Sequence, residues 1–337
     1  MSLDLLLAAA LLLGAPASAA PKVPPGANEI LWGSLEGPSS GYEGRVLVTV
    51  FASGKGTSRE MLVRYLPPSR YRREILGAKG SAAQVVVSDG KTERIYDRAR
   101  NRVWEGEPAD PYFKRLGPDE EFALLSSNYE VSIGTASPVA GRPAWRLDLR
   151  SRADGSLRRS LWVDRERGLV LRSLERSPDG SPVSETRFLK VSFPARQDEG
   201  LFAFDPPAGA KVSKRLEPDY MAVEEAKEAG VEPRLPAWLP SGYVFESLDL
   251  LPKGKKKVVH YRFSDGVNAL SLFQCPPRSR LALGPKGGEK VRVGAGKGVL
   301  AWAPEGAILS WSSGKTRFFL VGRLPAESLR RVAESVR

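Results

Sequence analysis

Apolar and polar residues alternate along most of the chain, most clearly between Arg142 and Phe193. Apolar residues occupy every second position in 145–149 and again in 189–193, and Asp154-Gly155 and Asp179-Gly180 interrupt the pattern. Period-two alternation with Asp-Gly turns predicts four antiparallel strands in a row. One face of such a sheet is apolar and the other charged. The apolar face either covers a core or holds a ligand, and this alternative decides the function.

The same alternation continues on both sides of this stretch, up to residue 210. It predicts roughly ten strands in this region, with short helices at 27–35 and 118–127. Acidic residues at 119–121 favour the start of the second helix there, because negative side chains interact favourably with the positive end of the helix dipole. Many twisted strands in sequence tend to curl into a barrel or half-barrel, which limits exposed edges.

The last third of the chain predicts a second, smaller unit. Seven short strands between residues 243 and 322 precede a helix at Pro325–Val336, whose apolar residues recur at helical spacing. The predicted fold class is therefore α+β, with an N-terminal curled antiparallel half-barrel, a few helices and a C-terminal α+β domain. We predict a signal peptide at 1–19, the half-barrel domain at 20–210, an acidic linker at 211–235 and the C-terminal domain at 236–337.

The first residues predict export. Leu5–Leu13 is apolar but shorter than the about 20 residues that span a membrane, and Ala17-Ser18-Ala19 fits a small-residue cleavage site. Asp4 before the apolar run makes this signal peptide atypical. We expect cleavage after Ala19 and a periplasmic location.

Positive charge is concentrated in the C-terminal third. The chain has a net charge of +12, and residues 234–337 contain 18 Lys and Arg against 7 Asp and Glu. Such a surface attracts anionic partners, although an ordinary solvated surface accounts for the same numbers. Nucleic acid is not the expected partner, because the aromatic residues near these charges alternate as core residues do.

The groups needed for catalysis or metal binding are sparse. The chain has one histidine, His260, and one cysteine, Cys275, whereas a zinc site takes about four such ligands. A Ser-His-Asp enzyme would depend on His260. The Gly-x-Ser-x-Gly spacing at Gly37–Gly41 follows a predicted helix and precedes a predicted strand, so it is not a nucleophile elbow, which needs a strand before it and a helix after it. Asp164 and Glu166 lie in a segment expected to be a solvated turn. We therefore predict a protein that is not an enzyme and holds no metal or cofactor, with His260 and Cys275 as structural residues.

Several segments resemble a known family. Tyr42–Val50, Pro67–Arg73, Val87–Ile95, Leu161–Arg172 and Phe204–Gly209 follow the order of the lipoprotein-carrier fold of LolA-type proteins. The C-terminal domain resembles that of the MucB/RseB family at the following segments: Trp238–Tyr243, Tyr261–Phe273 and Phe319–Val336. The resemblance implies a periplasmic regulator that binds the periplasmic segment of a membrane anti-sigma factor, shields it from proteolysis and responds to a lipid-type signal.

Two sets of candidate residues follow. The apolar residues predicted to line a lipid cavity are Trp145, Leu147, Trp162, Leu171, Leu189 and Val191, and ordinary core packing remains the alternative for each. The basic residues predicted to bind the partner are Lys253, Lys255, Lys256, Lys257 and Arg262. The competing function is a carrier of lipid or of lipoprotein acyl chains. Homo-oligomer formation stays open.

Overall fold

The computed structural model describes the chain in ten stretches, namely residues 25–52, 54–77, 80–108, 116–214, 219–221, 223–228, 230–253, 256–279, 288–303 and 306–337. Their strands form two separate sheets, one of twelve strands and one of eight. Each sheet is open, because its first and last strands do not pair with each other.

The first sheet is antiparallel apart from one pair at its edge. Its strands are β1 (Tyr42–Ala52), β2 (Lys55–Leu66), β3 (Arg70–Leu76), β4 (Ala82–Asp89), β5 (Glu93–Asp97), β6 (Arg102–Gly106), β7 (Tyr129–Gly134), β8 (Ala144–Ser151), β9 (Leu157–Asp164), β10 (Val170–Arg176), β11 (Pro182–Ser192) and β12 (Lys211–Lys214). Their order across the sheet is β12-β6-β5-β4-β3-β2-β1-β11-β10-β9-β8-β7, and β12 runs parallel to β6. In this order β1 and β11, which are far apart in the chain, are neighbours in the sheet.

The four strands predicted between Arg142 and Phe193 are confirmed as β8 to β11. Glycines end the turns between them, and Gly155 and Gly180 have φ angles of 69° and 85°. These are left-handed conformations that a residue with a Cβ adopts at a cost. The Asp-Gly pairs therefore fix where each strand ends.

Two helices cover one end of the first sheet. They are α1 (Ala27–Glu36) and α2 (Pro118–Asn128), close to the two predicted ranges. The predicted acidic first turn of α2 is present, and the Glu120 carboxylate accepts a hydrogen bond from the Gly117 amide (3.0 Å). Apolar residues of both helices pack against β7 to β9, and this cluster includes Ile30, Leu31, Leu125, Tyr129, Leu147, Leu149, Leu161 and Val163.

The second sheet follows along the chain. Its strands are β13 (Asp219–Met221), β14 (Val244–Lys253), β15 (Lys256–Ser264), β16 (Ala269–Cys275), β17 (Glu289–Val293), β18 (Gly296–Ala303), β19 (Gly306–Ser313) and β20 (Thr316–Gly322), with helices α3 (Val223–Glu228) and α4 (Ala326–Glu334). Their order is β13-β14-β15-β16-β20-β19-β18-β17. Leu329, Val332 and Ala333 of α4 are buried against the sheet, as the helical spacing predicted.

The second sheet contacts the first at the Arg323–Glu175 ion pair and through α2. The side-chain amide of Asn128 donates to the carbonyl oxygens of Gly242 (2.8 Å) and Asp265 (3.0 Å). Val267 packs into the cluster beneath α1 and α2, and Gly266 lies so close to Leu125 that a Cβ would be 2.8 Å from its Cδ2. The turn after β15 therefore rests on the helix that covers the first sheet.

Strands dominate the fold more than the predicted α+β class suggests. The described residues form twenty strands and four α-helices, because most of the apolar pattern has period two. The predicted linker, 211–235, contains β12, β13 and α3. The predicted domain boundaries and the comparison with a LolA-type half-barrel stay predictions.

Candidate functional site

The strand register defines two faces of the first sheet. Residues that pair across neighbouring strands point to the same face. Leu147 pairs with Leu161, whereas Trp162 pairs with Arg146 and Arg172. Because Leu161 and Trp162 are adjacent in β9, Leu147 and Trp162 lie on opposite faces. We call the face of Leu147 the helix-covered face, since it packs against α1 and α2, and the face of Trp162 the outer face.

The helix-covered face continues across the sheet as two rows that are apolar apart from Arg73. Leu161 pairs with Ser173, Ser173 with Thr186, and Thr186 with Val48 in β1. Val48 is therefore on the helix-covered face, and the pairs of β1 identify the residues of the neighbouring strands that share it. One row runs through Val191, Gly44, Val63, Arg73, Val86, Ile95 and Trp104, and the other through Phe188, Val46, Met61 and Ile75. We call these the apolar rows. They extend over seven strands, from β11 to β6.

The apolar rows are only partly covered. Val86, Ile95 and Trp104 are half-buried, although they lie in the middle of β4, β5 and β6. On the outer face of the same strands, Val85 and Val103 are buried beneath the segment that contains Phe204 and Ala210. These strands therefore have one face packed and one face partly open. An open apolar surface of this kind is typical of a binding site.

The six lipid-cavity candidates do not share one surface. Trp145 and Leu147 pack with α1 and α2, and Val191 belongs to the apolar rows. Trp162 lies on the outer face between two arginines.

The other two candidates lie at β-bulges, where the register skips one residue. Leu171 is fully buried and Leu189 is 40% exposed. By contact, Trp145 and Leu147 share one hydrophobic cluster, whereas Trp162 and Leu171 share another, against which Val191 packs. A lining role for the six residues stays a prediction.

Two clefts lie in the described part of the first sheet, and only the second has a mainly polar lining. One has a volume of about 270 Å³ and is lined by Glu43, Gly44, Arg45, Leu62, Val63, Arg64, Lys190 and Ser192. The other has a volume of about 380 Å³ and is lined by Arg70, Asp89, Arg94, Glu105, Glu199, Phe202, Ala203, Phe204, Asp205 and Pro206. Neither cleft is lined by any of the six candidates, and Gly44 and Val63 of the apolar rows line the first cleft.

The basic candidates of the second sheet are partly visible. Lys257 is exposed, and Arg262 is half-buried with its guanidinium 3.5 Å from the Glu246 carboxylate. Lys255 and the side chains of Lys253 and Lys256 lie outside the described residues. The role of these five residues in partner binding stays a prediction.

His260 is held on three sides in the second sheet. Its Nδ1 lies 3.2 Å from Asp249 Oδ2, its Nε2 is 3.0 Å from Ser271 Oγ, and its ring stacks on Phe273 with centroids 4.3 Å apart. This order of groups resembles a catalytic triad, but a triad also needs donors for an oxyanion. Ser271 lies in β16, which is paired on both sides, so the neighbouring backbone amides are used in the sheet. The contacts favour a structural histidine.

Asp164 was expected in a solvated turn, and this expectation is wrong. Its side chain is buried and pairs with the Arg142 guanidinium, while the amides of Glu166 and Arg167 donate to its Oδ1. Burial alone would raise the pKa of Asp164, but these hydrogen bonds overcome it and hold the pKa below its usual value. Asp164 therefore anchors the turn between β9 and β10. Of the two acidic residues in this segment, only Glu166 is exposed.

The described residues contain no group of three or more His, Cys, Asp or Glu side chains placed to hold a metal ion. Within the same residues, no helix combines the length and apolar character needed to cross a membrane.

Comparison with known proteins finds a matching family model and a similar regulatory protein. Residues 46–210 match the family model of the MucB/RseB N-terminal domain. The sigma factor AlgU regulatory protein MucB of Pseudomonas aeruginosa is 24% identical over 291 residues, which are 85% of this chain and 83% of that protein.

Two solved structures are similar along most of the chain. MucB in complex with MucA(peri) gives a TM-score of 0.57 at 21% identity, over 92% of this chain and 96% of that one. The Pseudomonas aeruginosa MucA/MucB complex gives a TM-score of 0.56 at 22% identity, over 92% of this chain and 98% of that one. The fold with two open sheets is thus the fold of these MucB structures. The chain belongs to the MucB/RseB family.

Proposed function

We propose that this chain is a periplasmic regulatory protein. It binds the periplasmic segment of a membrane anti-sigma factor, and it responds to a lipid-type signal that reaches the apolar rows. The observation that carries this proposal is the partly open apolar surface on β4 to β6, where Val86, Ile95 and Trp104 of the apolar rows are half-buried.

The apolar rows suit an acyl chain for a physical reason. Val86, Ile95 and Trp104 keep part of their apolar surface in water, and covering apolar surface yields about 25 cal/mol per Å². Packing on the outer face already holds β4 to β6 in place through Val85 and Val103. The inner surface of these strands is therefore free to bind a ligand without being needed for folding.

The partner is supported by charge and by relatives. Residues 234–337 contain 18 basic and 7 acidic residues, and this excess of positive charge attracts an acidic, flexible segment. The similar solved structures are complexes of MucB with MucA, one of them with MucA(peri). By this similarity, we infer that the corresponding partner of this chain is the periplasmic segment of a membrane anti-sigma factor.

Affinity capture tests the partner. Intact protein as bait in an envelope extract is expected to recover a membrane-anchored anti-sigma factor, identified by mass spectrometry. Lys257→Glu, which reverses an exposed charge on β15, is expected to weaken the capture and to make it less sensitive to salt. Recovery of no anti-sigma factor by intact protein would overturn the proposed partner.

Ligand binding by the apolar rows is tested separately. Ile95→Asp places a charge in the middle of the rows, and Ala83→Asp is its matched control at an exposed position of β4. We expect a fluorescent naphthylamine dye and a fatty acid to bind the wild type and Ala83→Asp equally, and Ile95→Asp at least about tenfold more weakly, since desolvating a carboxylate is costly. Equal binding by all three proteins would refute the assignment of the rows.

A carrier of lipid or lipoprotein acyl chains is the second candidate function, because the same rows would hold the cargo. The two functions differ in their partners. A carrier transfers bound acyl chains to acceptor membranes, whereas the regulator retains its ligand and changes its affinity for the anti-sigma segment. Measuring transfer of a fluorescent acyl chain between vesicles separates the two.

A further inference from the structure

Three arginines gather around one tryptophan on the outer face of the first sheet. Arg146 and Arg172 pair with Trp162 from the strands on either side. Their guanidinium carbons lie 5.5 Å and 4.2 Å from the centroid of its ring. Arg176 comes from the same strand as Arg172, and its Nη1 donates to the buried hydroxyl of Ser160 (3.1 Å). We call Arg146, Arg172 and Arg176 the arginine cluster.

The floor beneath the arginine cluster is rigid. Trp162 is 7% exposed and Ser160 is fully buried. The Asp148 carboxylate accepts from both Ser160 Oγ (2.6 Å) and Arg146 Nε (2.9 Å), so that it orients one arginine directly and Arg176 through the serine. Stacking on an aromatic face further restricts two of the guanidinium groups. The three side chains are therefore positioned before any ligand arrives.

The cluster holds more positive than negative charge. Asp148 pairs with Arg146, and Glu185 pairs with Arg172 through Nε (2.7 Å). Among the described residues, no carboxylate forms an ion pair with Arg176. Burial lowers the pKa of Arg176, and the nearby charges of Arg146 and Arg172 lower it further, while the Asp148 carboxylate opposes them in part. An anion placed among the three groups would remove this repulsion.

The cluster is open to solvent on its outer side. The side chains of Arg146 and Arg172 are 27% and 32% exposed. Both reach their carboxylates through Nε, and within the described residues no side chain or backbone group accepts a hydrogen bond from their terminal Nη groups. A guanidinium has five donors in a planar fork that matches the oxygens of a phosphate. Free donors therefore face the solvent from two sides of Trp162.

The geometry favours a compact anion over an acidic peptide. Acidic side chains on one face of an extended peptide are about 7 Å apart, so such a peptide would bring one carboxylate at a time to the cluster. A phosphate monoester offers three oxygens and up to two negative charges at one point. We propose that Arg146, Arg172 and Arg176 form a binding site for a phosphate monoester group on the outer face of the first sheet.

This site is separate from the proposed function. The apolar rows and the contact between α2 and the second sheet are on the helix-covered face, so a phosphate at the arginine cluster touches neither. The group can belong to a lipid headgroup or to a free phosphate compound, and these sources are distinguished by how the phosphate is presented.

Phosphate titration of the full chain tests the proposal. Calorimetry with inorganic phosphate at constant ionic strength is expected to show saturable binding to the wild type. Arg176→Gln is expected to weaken it at least about tenfold, the effect of losing one charge-assisted contact. The matched control is Arg159→Gln, in β9 but on the helix-covered face, where Arg159 Nε donates to Ser173 (3.1 Å). This control is expected to bind as the wild type does.

Vesicles identify the source. Sedimentation with phosphatidic acid vesicles, which present a phosphate monoester, is compared with phosphatidylglycerol vesicles, which present a diester of lower charge. Arg176-dependent binding to phosphatidic acid supports a headgroup, and binding of inorganic phosphate alone supports a free phosphate compound.

Three results would overturn the proposal. They are the absence of saturable phosphate binding by the wild type, unchanged binding by Arg176→Gln, and equal competition by a poly-glutamate peptide. The first and third use only wild-type protein, so they decide the matter even if the variant does not fold. None of them bears on the apolar rows or on the anti-sigma partner.

Discussion

One side chain supplies two hydrogen bonds to the contact between α2 and the second sheet, and Asn128→Ala tests them. Asn128 donates one hydrogen bond to the Gly242 carbonyl and another to the Asp265 carbonyl. A hydrogen bond contributes about 1 kcal/mol net, so the substitution is expected to lower the free energy of unfolding by roughly 2 kcal/mol. The loss is specific to the contact, because α2 itself uses none of these bonds.

The measurement is urea unfolding followed by tryptophan fluorescence, with hydrogen exchange at the amides of residues 265–268 as a local readout. Asn128→Ala is expected to shift the unfolding midpoint to lower urea and to speed exchange in this turn. Ser127→Ala is the matched control, because the hydroxyl of Ser127 bonds back to Leu124 within α2 (3.4 Å). It is expected to change the free energy by less than about 0.5 kcal/mol.

If Asn128→Ala unfolds at the same urea concentration as Ser127→Ala and exchanges at the wild-type rate, the two hydrogen bonds do not hold the sheets together. Asn128→Asp sharpens the result. It keeps the size of the side chain but turns carboxylate oxygens toward two carbonyls, so it should destabilise the contact at least as much as alanine does.

Three further predictions follow from the packing and from one buried charge. Leu147→Ala should cost about 3 kcal/mol because the side chain is fully buried, whereas Leu189→Ala at its exposed bulge should cost less than about 0.5 kcal/mol, both by urea unfolding. Gly266→Ala, at φ 94° and against a leucine of α2, should cost about 2 kcal/mol or more in backbone strain and contact, and more than Gly155→Ala, whose Cβ would meet no atom within 4 Å. The lowered pKa of Asp164 stabilises the folded state above about pH 4, and this stability is lost as the pH falls through the lowered value. Asp164→Asn should therefore lower the free energy of unfolding at pH 7 and make it less sensitive to acid, and an unchanged acid dependence would contradict the assignment.

Local pattern predicted the strands and helices but not their arrangement. The four strands around Trp162, and helices α1, α2 and α4, follow from alternation, Asp-Gly turns and helical spacing. The pairing of β1 with β11 joins residues about 140 positions apart in the chain, and no turn fixes it. The sequence alone therefore left the order of the twelve strands open.

The candidate site shows a more specific limit. A period-two count assigns residues to faces only while the register is continuous, and one extra residue exchanges the faces. Leu171 and Leu189 both lie at bulges, so a count along β10 or β11 fails there. Trp162 was grouped with Leu147 because both are hydrophobic. Leu161 shares the face of Leu147, and Trp162 is the next residue in β9, so Trp162 lies on the outer face.

The placement of Asp249 beside His260 was not predicted, although the sequence contains a signal for it. Lys253 of β14 pairs with Lys256 of β15, so the two strands are separated by two residues in the chain. That spacing sets the pairs from Lys253 back to Ser247 and brings Asp249 opposite His260. The arginine cluster had no such signal, because its members are scattered among many arginines and only the register unites them.

The magnitudes connect ligand binding to the contact between the sheets. Burying one methylene of an acyl chain yields about 0.8 kcal/mol, and the Asn128 hydrogen bonds contribute roughly 2 kcal/mol. The ion pair of Arg323 with Glu175 (3.0 Å) is partly exposed and adds little. About three methylenes buried on the apolar rows would therefore match the Asn128 bonds in free energy, before the packing of Val267 and of Gly266 against Leu125 is counted. Because the apolar rows and the arginine cluster lie on opposite faces of the sheet, an acyl chain and a phosphate group should have separable effects on binding of the proposed partner.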